Sequence, residues 1–322
     1  MASQPSSERR LRIRAGDRRA LATLMRDLDD RRADASAELS ALVALSGADA
    51  SPLVIGVTGP PGAGKSTLVD ALVARFRQQG TPVGVLAVDP SSPLTGGAIL
   101  GDRVRMQRHA TDDDVFIRSV ASRGASGGLS RAIHDLVTAL GCGGFPVVIL
   151  ETVGVGQSEI DVTLEADVTV VVVVPGLGDA VQAIKSGLFE LADVLVVNKA
   201  DRAGAEQTVS DLRMMLELRR ATAKSPAAEV PVLSTNALTG QGVDDLGRTM
   251  EDAAHRGVQA RETRRRRRAE VAIVSAATGA LAETLKQSFA SDARAREVVD
   301  QVVARTLDAN DAAIALMPRI PR

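Results

Sequence analysis

The 322-residue chain has no tryptophan and no tyrosine, and only five phenylalanines, three histidines and one cysteine. Cys142 has no second thiol with which to close an intramolecular disulfide, so the sequence reads as that of a protein of the reducing cytoplasm. His109, His134 and His255 are widely spaced and, with a single thiol, too few for a protein-only zinc cluster. An excess of one charge is also missing. Lys and Arg number 39 against 40 Asp and Glu, a formal charge of -1, so no global field draws the chain onto nucleic acid or an anionic membrane. The most apolar run, Val168 to Val174, is far short of the roughly 20 residues of a membrane-spanning helix. No apolar stretch of signal length opens the chain, which predicts a protein that is not exported. With 45% hydrophobic and 25% charged residues, the composition that remains is globular. Only five of the basic residues are lysines: Lys65, Lys185, Lys199, Lys224 and Lys286. A chain that otherwise uses arginine keeps lysine where a compact ammonium is wanted.

Residues 1 to about 12 read as a flexible arm. Ala20, Leu21, Leu24, Met25 and Leu28 form one helical stripe, and Leu39, Leu42 and Val43 form a second that ends at Gly47, which predicts a helical extension over residues 1–50. From Pro52 short β-branched runs alternate with amphipathic stretches. The runs are Leu53–Val57, Val83–Val88, Val115–Ile117, Val147–Leu150, Val168–Val174, Val194–Val197 and Val232–Leu233. Such alternation predicts an α/β domain over 51–258 with a mainly parallel sheet and ligands at the carboxyl ends of its strands. No strand signal follows. Val271, Val274, Leu281, Leu285 and Phe289, then Val298, Val299, Val302, Val303 and Leu307, predict a helical arm over 259–322. Its apolar face needs a partner, and a second copy of the chain is the simplest one.

Gly59-Pro60-Pro61-Gly62-Ala63-Gly64-Lys65-Ser66 follows the first predicted strand and opens a helix predicted from Thr67 to Gln79. This G-x-x-x-x-G-K-S pattern in strand–loop–helix context is a phosphate-binding loop of the P-loop NTPase kind. Its glycines let backbone N–H groups turn around a phosphate, and the helix N-terminus adds positive potential. Lys65 is then expected to reach the β- and γ-phosphates, and Ser66 to ligate Mg²⁺.

Asn198-Lys199-Ala200-Asp201 ends a later strand, where a base would lie. A carboxylate at Asp201 accepts from the N1–H and 2-amino group of guanine, donors that adenine lacks, so GTP and GDP are the expected nucleotides. The Lys199 stem can cover the base plane. In Ser234-Thr235-Asn236-Ala237-Leu238, the backbone of Asn236, Ala237 and Leu238 is expected to approach the guanine O6. Asp89, Asp102 and Glu151 stand at or near strand ends close to the phosphates. Mg²⁺ takes one or two carboxylates, a hydroxyl, phosphate oxygens and waters, which makes Glu151 the natural ligand. For Asp89 and Asp102 the alternative is a turn or capping role. Thr152 to Glu159 reads as a sensor of the terminal phosphate.

With these residues in view the chain resembles the MeaB/ArgK family of GTPases. The resemblance rests on Val88-Asp89-Pro90-Ser91-Ser92-Pro93 with Thr95 to Arg103, on Glu151-Thr152-Val153-Gly154-Val155-Gly156-Gln157-Ser158-Glu159, and on Asn198-Lys199-Ala200-Asp201. It implies a P-loop G domain with an N-terminal helical extension and a C-terminal helical dimerisation arm. It further implies a GTP-hydrolysing chaperone that gates cofactor loading and the protection and reactivation of an adenosylcobalamin-dependent acyl-CoA mutase, methylmalonyl-CoA mutase foremost, with the cobalamin adenosyltransferase as a further candidate partner. Carried over by position, Gly59 to Thr67 hold the phosphates, and Lys65, Asp102 and Glu151 act around the transferred group. Ser66, Asp89, Asp102 and Glu151 form the metal shell, and Asn198, Lys199 and Asp201 with Asn236, Ala237 and Leu238 hold the base. Lys185 falls in a segment that the family uses as a further switch. Asn236 stands where the family usually has Ser.

No residue of the sensor other than Gln157 is suited to position a water, so hydrolysis is expected to be slow without the partner. The rival readings are a metal-delivery GTPase, for which His and Cys ligands are scarce, and a kinase acting on a transport-binding protein, against which Asp201 argues. Arg264 to Arg268 carry no interleaved aromatics and read as a solvated helix face, paired with acidic groups across a dimer, rather than as a nucleic-acid site.

Overall fold

A computed structural model of the chain describes residues 6–32, 34–47, 50–89, 106–121, 128–152, 158–176, 188–222, 229–256 and 258–317. The β-branched runs form seven strands: β1 (Leu53–Thr58), β2 (Val83–Asp89), β3 (Val115–Ala121), β4 (Val147–Thr152), β5 (Val168–Val173), β6 (Val194–Val197) and β7 (Val232–Ser234). They make one sheet in the order β3-β2-β4-β1-β5-β6-β7. Every pairing is parallel, and β1 lies at the centre with Ile55 opposite Ile149 on one side and Val168 on the other.

The central strands are largely apolar because both of their faces are covered. Val54, Leu86, Val88, Val148 and Leu150 meet Ile133, Leu136 and Leu140 of α5 (Gly128–Cys142), with α6 (Ser158–Glu165) on the same face. Ile55, Val57, Val85, Ile149, Val170 and Val172 meet Leu68, Leu72 and Val73 of α4 (Lys65–Gln78) on the other. Leu246 and Met250 of the helix Val243–Arg256 join this second cluster. A third cluster closes over β5 to β7 with Leu212 of α7 (Ala205–Thr222); the helix Val243–Arg256 is then α8. Each fully buried aliphatic side chain contributes ~1.5–3 kcal/mol, so these clusters outweigh any surface ion pair.

The amino end corrects one expectation. Instead of an arm, residues 6–14 form α1 (Ser6–Arg14), which precedes α2 (Arg18–Asp29) and α3 (Ala35–Ser46). No apolar stripe marks α1. What holds it is Ile13, 1% exposed, and Arg9, whose Nη1 donates to Asp27 at 2.7 Å and whose Nε donates to Glu38 at 2.7 Å. Asp17 caps α2, accepting from the N–H groups of Arg19 and Ala20, and these bonds with the Arg12 guanidinium hold its carboxyl below the usual range. Leu21, Leu24 and Met25 of α2 and Leu42 of α3 share the α5 cluster, so the three helices pack directly on the α/β layer.

The chain forms two compact units, Met1–Ala269 and Glu270–Arg322. Helix α9 (Val258–Ser291) begins in the first, and α10 (Ala293–Val303) and α11 (Ala309–Leu316) lie in the second. The basic run at the start of α9 is not simply a solvated face. Arg264 grips Asp193 through two hydrogen bonds of 2.8 and 2.7 Å, and Arg268 donates to Asp167 at 2.6 Å and to the Glu165 carbonyl. Positions four apart on a helix lie on one face, so two of the arginines are internal anchors in this chain. In the second unit Ala295, Val298 and Ala312 are buried, while Ile273, Val274, Val303 and Ile314 are exposed. No helix among the described residues is long and apolar enough to cross a membrane.

Candidate nucleotide site

β1 ends at Thr58 and α4 begins at Lys65, leaving a six-residue loop at the carboxyl edge of the central strand. Two of its glycines are required by geometry. Gly59 has φ +141°, and a Cβ there would lie 2.1 Å from the Val172 carbonyl oxygen of β5. Gly64 has φ +86°, and its Cβ would lie 2.5 Å from Nδ2 of Asn198. Any side chain at either place would collide with the strand ends that flank the loop.

Lys65 is 5% exposed and folds back across the loop, donating from Nζ to the carbonyls of Gly59 at 2.8 Å and Pro60 at 3.1 Å. The ammonium is therefore held over the loop, at the N-terminus of α4, where an anion would also meet the helix dipole. The helix starts two residues earlier than Thr67, so Lys65 and Ser66 belong to its first turn. The Ser66 hydroxyl donates to Oε1 of Glu151 at 2.6 Å, and both residues are buried. Glu151 reaches this place because β4 is in register with β1, pairing Glu151 with Val57. A hydroxyl and a carboxylate, two hard oxygen donors side by side, suit Mg²⁺ completed by phosphate oxygens and water.

The second half of the site is organised by Asn198, 2% exposed at the end of β6. Its Nδ2 donates to the Ala63 carbonyl of the phosphate loop at 2.9 Å. Its Oδ1 accepts from the backbone N–H of Ala237 and from the Thr235 hydroxyl, both at 3.2 Å. One amide thus ties together the loop after β1, the end of β6 and the loop after β7. Lys199, at φ +57°, donates to the Gly62 carbonyl at 2.7 Å. Asp201 is exposed and accepts at Oδ1 from Nδ2 of Asn236 at 3.0 Å, while Asn236 Oδ1 accepts from the Leu238 N–H at 3.1 Å.

A cavity of about 270 Å³ joins these parts, with Gly64 and Thr67 on the phosphate side and Lys199, Asp201, Ala237 and Leu238 on the other. Of the predicted residues, Gly59 to Thr67, Glu151, Asn198, Lys199, Asp201, Asn236, Ala237 and Leu238 are therefore brought together. Asp102, the Asp89 side chain, 153–157 of the sensor and the Lys185 segment lie outside the described residues. Two participants escaped the sequence reading. Thr235, fully buried, supports Asn198, and Arg202 lines the cavity directly after Asp201. Neither carries a pattern of its own; Thr235 sat unassigned within the quoted Ser234–Leu238 segment.

Comparison with known proteins bears on the family and the fold. The family model for the methylmalonyl-CoA mutase-associated GTPase MeaB matches residues 18–291. A Pyrococcus horikoshii protein that carries a provisional GTPase name is 42% identical over 321 residues, 98% of this chain and 99% of its own. The GTPase ArgK of Escherichia coli is 41% identical over 251 residues, 75% of this chain and 73% of its own. The fused isobutyryl-CoA mutase of Cupriavidus metallidurans is 39% identical over 226 residues, 69% of this chain and 20% of its own. Among solved structures, a LAO/AO transport system kinase superposes with a TM-score of 0.66 at 29% identity, covering 98% of this chain and 97% of its own. A family model matching residues 18–291 and a relative 42% identical along nearly the whole of both chains show that the chain belongs to the MeaB family of P-loop GTPases.

Proposed function

We propose that this protein binds GTP with Mg²⁺, hydrolyses it slowly alone, and uses the GTP and GDP states to gate cofactor loading of an adenosylcobalamin-dependent acyl-CoA mutase. The observation that carries the nucleotide half is the Asn198 clamp. It ties the phosphate loop at Ala63, two residues before Lys65, to the Ala237 backbone, and the adjoining cavity runs from Gly64 and Thr67 to Asp201, a layout that suits phosphates at one end and a guanine base at the other.

In this reading Asp201 accepts from the N1–H and 2-amino group of guanine, with Asn236 orienting the carboxylate. Ala237 and Leu238 line the base side, where their N–H groups donate to Asn198 Oδ1 and Asn236 Oδ1, and Lys199 covers the base plane. Lys65 leaves the Gly59 and Pro60 carbonyls for the β- and γ-phosphates. Ser66 and Glu151 hold Mg²⁺, with Asp89 and Asp102 completing the shell; the bound metal would neutralise phosphate charge. Water adds to the γ-phosphorus as its bond to the β–γ bridging oxygen breaks, releasing GDP and phosphate. Lys65 counters the negative charge that grows on the leaving oxygen.

The mutase partner is supported by the Cupriavidus metallidurans relative, in which a region similar to this chain belongs to a fused isobutyryl-CoA mutase. A cytoplasmic homodimer joined through the 259–322 arm, with the cobalamin adenosyltransferase as a further partner, completes the proposal. The exposed Ile273, Val274 and Ile314 supply apolar surface for such a dimer.

Titration calorimetry with GTP and ATP in the presence of Mg²⁺ tests the nucleotide reading. GTP is expected to be preferred, and Asp201→Asn is expected to lower its affinity by about ten- to a thousandfold through the loss of paired donors. Preference for ATP would overturn it. Steady-state hydrolysis with and without a purified acyl-CoA mutase tests the gating. Stimulation is expected, and equal rates would remove that part.

A further inference from the structure

A second cavity, of about 310 Å³, adjoins Val54 near the start of β1, whereas the phosphate loop follows the end of that strand. Its wall is largely aliphatic, built from Val43 of α3, Pro52, and Val137 and Cys142 of α5. Its polar side is charged but unevenly satisfied. Asp167 accepts from the Val54 N–H at 3.0 Å and from Arg268 at 2.6 Å, so that carboxylate and Arg268 are committed to each other and to the strand.

Arg265, one residue after the Asp193 anchor Arg264, is placed differently. Its Nε lies 3.5 Å from Asp167, its side chain is 38% exposed, and its terminal nitrogens hydrogen-bond to no described residue. His134 sets Nδ1 3.5 Å from Glu165, and its other ring nitrogen likewise has no hydrogen bond to a described residue. The Glu165 carboxylate raises the His134 pKa against the effect of burial, which favours the cation. Arg265, Arg268 and His134 then face Glu165 and Asp167, with Asp135 also close enough to act on His134.

We propose that this cavity binds a small amphipathic carboxylate, with its hydrocarbon part on the Val43, Pro52 and Val137 wall and its carboxylate on Arg265 and His134. A guanidinium whose terminal nitrogens hydrogen-bond to no described residue is suited to a planar carboxylate. The aliphatic wall favours a hydrocarbon chain over a bare inorganic anion. At roughly 30 Å³ per water-sized group, the cavity of about 310 Å³ holds on the order of ten such groups, which sets hexanoate as the probe. The ligand would bridge α3, α5 and α9, and it would stabilise the protein in proportion to its occupancy. This site is independent of the nucleotide reading.

Cys142 is the chain's only cysteine and lines the cavity, so its alkylation by iodoacetamide in the full-length protein reports occupancy without a label elsewhere. Saturating hexanoate is expected to slow the reaction, while hexylamine, of the same shape and opposite charge, leaves it unchanged. By calorimetry Arg265→Gln is expected to weaken hexanoate about ten- to a hundredfold, and Arg265→Lys to restore much of the loss. GTP affinity should not move in either variant. Equal protection by hexylamine, no protection by hexanoate, or equal hexanoate affinity in Arg265→Gln would each overturn the proposal. Inorganic phosphate competing as well as hexanoate would overturn the assignment of an amphipathic ligand.

Discussion

Asn198→Ala removes the group that joins the two halves of the nucleotide site. The substitution deletes the hydrogen bonds of the amide, chief among them those to the Ala63 carbonyl at 2.9 Å and from the Ala237 N–H and the Thr235 hydroxyl at 3.2 Å, all in a place where Asn198 is 2% exposed. At a net ~0.5–1.5 kcal/mol for each bond the loss is about 3 kcal/mol, and leaving the Ala63 and Ala237 backbone groups unpaired adds to it. Nucleotide affinity should fall further than stability does, because the phosphate loop and the loop after β7 lose their common reference. Urea denaturation followed by far-UV circular dichroism measures the first effect; the chain has no tryptophan or tyrosine for an intrinsic fluorescence signal. Calorimetric titration with GTP measures the second. A stability loss below about 1 kcal/mol together with unchanged GTP affinity would refute the clamp, since the lost bonds must appear in one quantity or the other.

Two further outcomes follow from the α9 anchors and the histidine beside them. Asp167→Asn leaves an oxygen for the Val54 N–H but strips the charge opposite Arg268, which is 7% exposed, so urea denaturation should show a loss of about 3–5 kcal/mol. The same substitution in an Arg268→Met background should cost clearly less. His134, facing Glu165 foremost and also Asp135 and Arg268, has a folded-state pKa raised above its unfolded value of 6.5. Its protonated form therefore adds stability that is fully present below pH 6.5 and is lost as pH rises through the higher folded value. His134→Gln should lie closest to the parent protein at alkaline pH and furthest from it in acid; a constant gap across that range in thermal melts would contradict the assignment.

The seven strands and the phosphate loop were legible in the sequence because their signals are local. A strand buried on both faces is largely apolar at consecutive positions, as Val170 to Val173 are, and glycines spaced as Gly59, Gly62 and Gly64 leave few other conformations open. Asp201, Asn236 and Ala237 were legible for the same reason, each lying in a short segment directly after a strand. Helix α1 was not legible. Its nine residues offer no apolar stripe, and it exists through Arg9 meeting Asp27 and Glu38 from two other helices. The basic run also misled, because the sequence shows charge and not its partner; Arg264 and Arg268 find Asp193 and Asp167 some seventy to a hundred residues away. Chain chemistry alone determined the residue types around the nucleotide. Only the tertiary structure decided that one buried amide links the loops after three different strands, because hydrogen bonds between distant segments depend on sheet order and register, which no short stretch of sequence encodes.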